Sequence, residues 1–423
     1  MIPIQLLRSN PDFVKEGLTK KHFKELSVVD EILSIDEERR QVQKKMDDLL
    51  ALQNQAAKQI GGLMKEGKKE EAESVKQQVA GWKADTEVLK QNLAELELRQ
   101  EGLLVRLPNL PHASVPEGKL AEDNVVVYQV DHIPTLAEGA KPHWELTEQY
   151  KLIDFELGVK IAGAGFPVYM GQGARLQRAL IQFFLDRATA AGYLEVQPPI
   201  VVNEASGFGT GQLPDKEGQM YHITADDLYM IPTAEVPITN IYRDVMVKAE
   251  QLPIMLCGYT PCFRREAGSY GKDVRGLNRL HQFDKIEIVQ IAHPSNSYER
   301  LHEMVLHVEG LLKELELPYR ILRLCGGDMS FASALTFDFE VWSAAQGRWL
   351  EVSSTSNFEN FQANRLKCRY KDENGKSQLV HTLNGSALAL PRIVAALLEN
   401  HQTAEGIRIP KALVPYFGKE MIS

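Results

Sequence analysis

The chain has very little cysteine: four residues in 423, at Cys257, Cys262, Cys325 and Cys368. Four thiols so spaced do not form a disulfide framework, and a reducing cytoplasm is the expected setting. Long hydrophobic runs are also missing. No apolar stretch approaches the roughly 18 residues that cross a bilayer, so no membrane association is expected. The opening MIPIQLLRSNPDF lacks the basic start, apolar stretch and small-residue cleavage site of a secretory signal. Cys257 and Cys262 could make half a metal site, but no second pair matches them, and the eleven histidines show no H-E-x-x-H spacing. Positive charge is in short supply too, with 48 Lys and Arg against 57 Asp and Glu and a net charge of −9. That weighs mildly against a nucleic-acid partner. Phosphate contacts need only a local basic patch, however, so the search for one must be local.

The composition itself is that of a soluble globular protein, 44% hydrophobic and 25% charged. The length of 423 residues predicts two or three domains. Ser9-Asn10-Pro11 is a helix-start signal, and a short helix is expected over 11–18. The strongest periodic signal follows. Ile35, Arg39, Val42, Met46, Leu49, Gln53, Ala56, Ile60 and Leu63 alternate spacings of four and three. A second register runs through Ala72, Val75, Val79, Trp82, Thr86, Leu89, Leu93, Leu96, Gln100 and Leu103. A 3.5-residue period sustained over about four heptads is a coiled-coil seam. Gly67 breaks the two runs, which predicts an antiparallel helical hairpin with arms of roughly 50 Å that should project. The arm spans about 28–104 within an N-terminal domain of 1–107. Pro108, Pro111 and Pro116 forbid helix continuation and mark a linker over 108–120. Residues 121–423 form the second domain. Helical patterns at 176–191, 297–316 and 388–402 are interspersed there with candidate strands at 195–202, 228–231, 283–290, 319–324, 335–342 and 349–353. Several strands are adjacent without an intervening helix, so the expected class is α+β with an antiparallel or mixed sheet.

Two segments concentrate chemistry. From Cys262 to Gly276 the chain reads as a strand, a glycine-rich loop with Arg264, Arg265, Lys272 and Arg275, and a returning strand through Phe283 and Glu287. Arginine offers a planar, permanently charged fork for phosphate oxygens, and glycines let backbone approach a ligand. The second segment runs from Leu383 to Arg392, where an arginine opens an otherwise apolar helix behind Pro391.

These segments resemble the three signature motifs of class II aminoacyl-tRNA synthetases. The first is the helix from Leu176 leading to Pro199, the second Phe263-Arg264-Arg265-Glu266 with its loop, the third Gly385 through Arg392. Phe208-Gly209-Thr210-Gly211-Gln212-Leu213-Pro214, Thr233-Ala234-Glu235, Glu351-Val352-Ser353-Ser354 and Phe361 through Arg365 are similar to seryl-tRNA synthetases, as are the hairpin and its proline-rich exit. The resemblance implies the class II fold, an antiparallel catalytic sheet with flanking helices. It implies activation of L-serine by ATP with Mg2+ and transfer to tRNA-Ser, and to tRNA-Sec where that is present. It also implies a homodimer built on the first motif. No separate C-terminal anticodon domain is expected, since only about 30 residues follow Arg392.

The same resemblance implies roles by position. Arg264 holds the α-phosphate and the serine carboxylate, Glu266 reads the adenine amino group, and Phe283 stacks on adenine. Arg275 and Arg392 take the outer phosphates, and Glu351 and Ser354 contact ATP and magnesium. Arg265, Leu280, Val352 and Ser353 complete the nucleotide site. Thr233, Ala234, Glu235, Glu287, Asn384 and Ser386 hold serine, with the division of ammonium and hydroxyl between Glu235 and Glu287 left open. Arg264, Arg392 and Glu351 are the catalytic candidates. Ala387, Pro391 and Thr355 depart from the usual family pattern without removing a functional group.

Lys58, Lys65, Lys68 and Lys69 give the hairpin tip a local positive surplus, and Lys69, Lys76, Lys83 and Lys90 recur every seven residues beside the seam. Such flanking lysines are ordinarily solvated. The resemblance makes Lys58, Lys65, Lys68, Lys69 and Lys76 candidates for gripping tRNA by its backbone. Two other readings are a paralogue that loads a carrier protein and a scaffold with a dead catalytic domain. The long arm argues against the first, and intact Arg264, Glu266, Glu287 and Arg392 against the second.

Overall fold

The computed structural model describes residues 1–136, 138–215, 218–266 and 275–423. The chain divides into two compact units, Met1–Pro108 and Asn109–Ser423.

The first unit consists of α1 (Ile4–Ser9), α2 (Pro11–Lys20), α3 (Ser27–Lys65) and α4 (Lys69–Leu104). Asn10 caps α2 by accepting from Phe13 N at 3.3 Å, and Pro11 fills the first turn. From Met46 to Leu63 and from Ala72 to Gln100 the residues shielded from solvent are the predicted seam positions and no others. The 3.5-residue repeat therefore reads the hairpin correctly. Gly67, at φ 78°, makes the turn. Nearest α1 the seam is aliphatic, with Ile35, Val42, Leu93 and Leu96 in one cluster. There Asp36 is buried and receives Arg8 Nε at 2.6 Å and Gln100 Nε2 at 3.1 Å. Toward the tip the seam becomes polar, and Gln53 Nε2 donates to Thr86 Oγ1 at 2.8 Å.

The second unit is organised on an eight-stranded sheet. Its strands are β1 (Val125–Gln129), β2 (Leu194–Glu195), β3 (Ile254–Phe263), β4 (Gln282–Ala292), β5 (Tyr319–Arg323), β6 (Leu335–Ser343), β7 (Arg348–Asn357) and β8 (His381–Ala389). They lie in the order β1-β5-β6-β7-β8-β4-β3-β2. Every pairing is antiparallel except β2 with β3. The helices that matter here are α5 (His143–Gln149), α6 (Gly171–Ala190), α7 (Glu235–Asn240), α8 (Ser297–Glu314), α9 (Asn360–Leu366) and α10 (Leu390–Asn400).

Alternation along the central strands separates two faces. Ile286 and Ile288 of β4, Leu383 of β8 and Phe339 of β6 join one core with Phe183 of α6, Val308 of α8 and Ile393 of α10. The interleaved residues of β4, Phe283, Lys285 and Glu287, point the other way, toward a polar surface.

The strand expectations differ from the structure at several points: β1 and the first eight residues of β3 lay outside every candidate range, and two further cases have a physical reason. The stretch 195–202 is not one strand: Leu194–Glu195 joins the main sheet, while Val201–Asn203 pairs with Leu228–Met230 in a separate three-stranded sheet. Pro198 and Pro199 between them have no N–H to give a ladder. Strand β8 was not anticipated. Its outward Asn384 and its glycine at 385 are poor strand formers, held there by two flanking strands.

Candidate active site

The β3–β4 hairpin supplies the first half of the site. Its register sets Phe283 opposite Cys262, Lys285 opposite Thr260 and Glu287 opposite Gly258. Arg264 lies one residue beyond β3. Its backbone N–H donates to His281 O at 3.0 Å, its Nε donates to Pro232 O at 3.3 Å, and its guanidinium stands 5.1 Å from the Phe283 ring centre. The predicted cation and the predicted stacking ring are thus neighbours on one surface. Glu266 adopts φ 48° and takes Arg279 Nη1 at 3.0 Å. Arg265 is exposed, with its N–H on Gln219 O at 2.9 Å. Arg275 lies 4.7 Å above the Trp144 ring, and Leu280 is buried in the core. Lys272 and the other loop residues of 267–274 lie outside the described residues.

Beside this lies a small polar pocket. Glu287, Thr233, Glu235, Asn384 and Ser386 are all nearly buried, and Ser386 pairs across the ladder with Glu287. Thr233 Oγ1 donates to Glu287 Oε2 at 3.0 Å and accepts from Lys285 Nζ at 2.9 Å. Lys285 Nζ is also 2.6 Å from Glu287 Oε2. Glu235, in the first turn of α7, accepts from Gln362 Nε2 at 2.6 Å. Burial, reinforced by the neighbouring Glu287, pushes the Glu235 carboxyl up to about 7 against the pull of Gln362, Lys285 and Asn384. Ala234 contributes no side-chain polarity; its methyl packs with Ile238, Leu256 and Val289.

The third part is β7 with the start of α10. Residues 351 and 354 would face opposite ways under strict alternation. A bulge at Val352 resets the register, so Glu351 pairs with Glu340 and Ser354 with Asp338 on one face. Val352 goes into the core, and Ser353 Oγ donates to Ser386 O at 2.6 Å, so neither offers its side chain to a nucleotide. Arg392 donates from Nη1 to Glu351 O at 2.6 Å and from Nε to Asn278 O at 3.2 Å, with the Glu351 carboxylate at 3.7 Å. Asp338 is held well above its usual range by burial and then by Glu351, and its Oδ1 is buried without a partner among the described residues. A half-exposed carboxylate, a hydroxyl and an orphaned buried carboxylate oxygen make an all-oxygen set, the chemistry a hard divalent cation takes.

Motif-based reading missed Lys285, Gln362, Asn278 and Asp338. For Lys285 a signal was present, since Phe283, Lys285 and Glu287 share the period of one strand face. Gln362 lies inside the family-like segment from Phe361 to Arg365, but nothing local shows that α9 reaches Glu235 across 127 positions of sequence. The family segments around Phe208 and Phe361 do meet, because the buried Arg365 guanidinium lies 4.8 Å from the Phe208 ring and 5.2 Å from the Phe361 ring.

In the hairpin, Lys58, Lys65, Lys68, Lys69 and Lys76 are all exposed. Lys68 pairs with Glu66 at 2.9 Å and Lys76 with Glu73 at 3.0 Å, and among the described residues no ion pair engages Lys58, Lys65 or Lys69.

A largely antiparallel sheet with Arg264 just beyond one strand of a hairpin and Arg392 in the first turn of the helix after β8 is the arrangement of a class II aminoacyl-tRNA synthetase core. Residues 221–401 match the family described as tRNA synthetase class II core domain (G, H, P, S and T), and residues 1–111 match the seryl-tRNA synthetase N-terminal domain. The chain is 53% identical to the serine–tRNA ligase of Salinibacter ruber, over 99% of this chain and 98% of that one. It is 46% identical to that of a Hydrogenobaculum species over the full length of both. The crystal structure of seryl-tRNA synthetase from Pyrococcus horikoshii complexed with ATP superposes with a TM-score of 0.92 at 35% identity, covering 100% and 99% of the two chains. The chain belongs to the serine–tRNA ligase family.

Proposed function

We propose that this chain activates L-serine with ATP to seryl-adenylate and transfers the seryl group to the 3′ end of tRNA-Ser. The observation that carries the reading is the pocket of Thr233, Glu235, Lys285, Glu287 and Ser386 set beside Arg264 on one sheet face. In the first step a serine carboxylate oxygen bonds to the α-phosphorus and pyrophosphate leaves. Such a displacement needs charge neutralisation and in-line positioning more than a proton-transferring base. Arg264 faces the α-phosphate and serine carboxylate, Phe283 the adenine ring, and Arg275 and Arg392 the outer phosphates. Glu351 and Ser354 would hold Mg2+, which when bound offsets phosphate charge. In the second step a terminal ribose hydroxyl of the tRNA takes the seryl group and AMP leaves.

Serine is selected because its hydroxyl completes hydrogen bonds that alanine would leave unmade in a nearly buried pocket. Losing such a group costs orders of magnitude in kcat/KM. The lysines of the α3–α4 tip contact the tRNA backbone. The chain works as a homodimer through α6 and β2, an edge strand whose Leu194 is 65% exposed. Its four free, buried thiols suit the cytoplasm. Serine-dependent ATP–pyrophosphate exchange, followed by charging of tRNA-Ser, tests the whole reading. Exchange without charging would indicate a carrier-protein ligase instead, and neither activity would sink it.

A further inference from the structure

His143 at the start of α5 and Glu399 near the end of α10 are fully buried and take no part in the steps above. His143 Nδ1 and Glu399 Oε1 are 2.8 Å apart, and the backbone N–H of His143 donates to the same oxygen at 3.1 Å. The second carboxylate oxygen accepts from the Ser343 hydroxyl and from Ala345 N at 3.4 Å. Burial alone would push Glu399 up, but the hydrogen bonds from His143 and Ser343 prevail and hold its carboxyl below the usual range. The carboxylate assigns the imidazole proton to Nδ1, which leaves Nε2 as an acceptor. Leu277 N donates to that Nε2 at 3.0 Å.

Leu277 lies on the returning limb of the β3–β4 loop. That limb is fitted closely to the ring: a Cβ on Gly276, at φ 66°, would stand 2.3 Å from His143 Nε2. The same few residues carry the groups assigned to the nucleotide. Arg275 rests on Trp144, the neighbour of His143. The Asn278 carbonyl accepts from Arg392 Nε, and its amide donates to Gln346 Oε1 at 3.3 Å. Gln346 Nε2 in turn donates to Ser343 Oγ at 2.9 Å, closing the circuit to Glu399. Arg279 holds Glu266.

We infer that His143 and Glu399 are positioning residues for ATP, fixing the loop limb through Leu277 and, through the Asn278 carbonyl, the Arg392 guanidinium. The inference rests on the reading of this loop as the nucleotide site. His143→Ala leaves a buried N–H without its acceptor, so the KM for ATP in serine-dependent exchange should rise about tenfold. The KM for serine should stay within about twofold, because the serine pocket is held by Gln362, Lys285 and Thr233 instead. His143→Gln puts an oxygen where Nε2 was and should recover most of the loss. His143→Asn reproduces only the Nδ1 side and should remain impaired. Equal increases in both KM values, or Gln no better than Asn, would overturn the inference. If the alanine variant does not fold, the Gln–Asn contrast decides alone. An unmodified enzyme with no serine-dependent exchange would overturn the underlying reading as well, whereas exchange with an unchanged ATP KM in all the variants overturns this inference only.

Discussion

Lys285 Nζ sits 2.6 Å from Glu287 Oε2, and both side chains are almost closed to solvent, at 7% and 2% exposure. Thr233 completes the triangle by bonding to both. Two buried charges are tolerable only as a pair, so removing one partner leaves the other uncompensated. In Lys285→Met, Glu287 would also face Glu235 with no cation between them. The expected result is a loss of about 3 kcal/mol in urea unfolding. The serine KM should rise well over tenfold while the ATP KM changes little. A variant with the parent's serine KM would show that the pair holds the sheet rather than the substrate pocket.

Glu235 gives the pocket a pH dependence with a definite sign. Its carboxyl is raised from 4.5 to about 7, first by burial and then by Glu287. A serine ammonium nearby favours the charged form, so serine binding is strongest above pH 7. The serine KM should climb as pH falls from 8 to 6, approaching a tenfold change per unit below the midpoint. Stability of the serine-free enzyme runs the other way: the contribution of neutral Glu235 is fully present below 4.5 and is lost as pH rises through about 7. Glu235→Gln should flatten both profiles. A serine KM that is already independent of pH between 6 and 8 would rule out Glu235 as the titrating group.

What could be read from sequence follows from how local each feature is. The hairpin seam was legible residue by residue, from Met46 to Leu63 and Ala72 to Gln100, because a 3.5-residue repeat needs no information from elsewhere in the chain. Arg264, Phe283 and Arg392 were legible as motif positions, and their roles came from resemblance. The orientation of Val352 and Ser353 was not legible, since a one-residue bulge reverses the side a residue faces. The tie between His143 and Glu399 spans 256 positions, and no local pattern encodes such a contact. Strand β8 failed for a related reason: its polar face serves the site, and its neighbours rather than its own propensities make it a strand.

Asp36 should control the acid stability of the first unit. It is 1% exposed and takes Arg8 at 2.6 Å, Arg40 at 3.2 Å and Arg39 at 3.5 Å. Burial would raise its carboxyl, but hydrogen bonds from Arg8 and Gln100 outweigh that and lower it from 3.8 to about 2. A lowered carboxyl contributes stability that is complete above 3.8 and is lost as pH falls through 2. Asp36→Ala should cost about 2 kcal/mol at neutral pH, the free energy that corresponds to lowering this carboxyl from 3.8 to about 2. It should also remove this acid-sensitive component from helix melting followed by circular dichroism. An unchanged acid profile would mean that the cluster is screened by water and holds nothing together.

The lysines at the hairpin tip separate RNA binding from amino-acid activation. Lys65 and Lys69 are exposed and engaged in no ion pair among the described residues, and Lys68 makes only a surface pair with Glu66. Solvent-exposed pairs of this kind contribute about 0–1 kcal/mol, so removing all three lysines should leave the α3–α4 hairpin folded. Each lysine that no longer meets a phosphate lowers the salt dependence of RNA binding by somewhat less than one unit of slope, and its removal weakens binding at every sequence alike. Lys65→Ala, Lys68→Ala and Lys69→Ala combined should therefore raise the KM for tRNA-Ser in charging by about tenfold or more. The slope of log affinity against log salt should become shallower. Serine-dependent ATP–pyrophosphate exchange should stay at the parent's rate, because those residues lie on the helical unit and the exchange chemistry belongs to the sheet. Collapse of exchange together with charging would show that the hairpin is not a separable RNA-binding element, and a charging KM unaffected by the triple change would move the RNA-binding surface to another part of the arm.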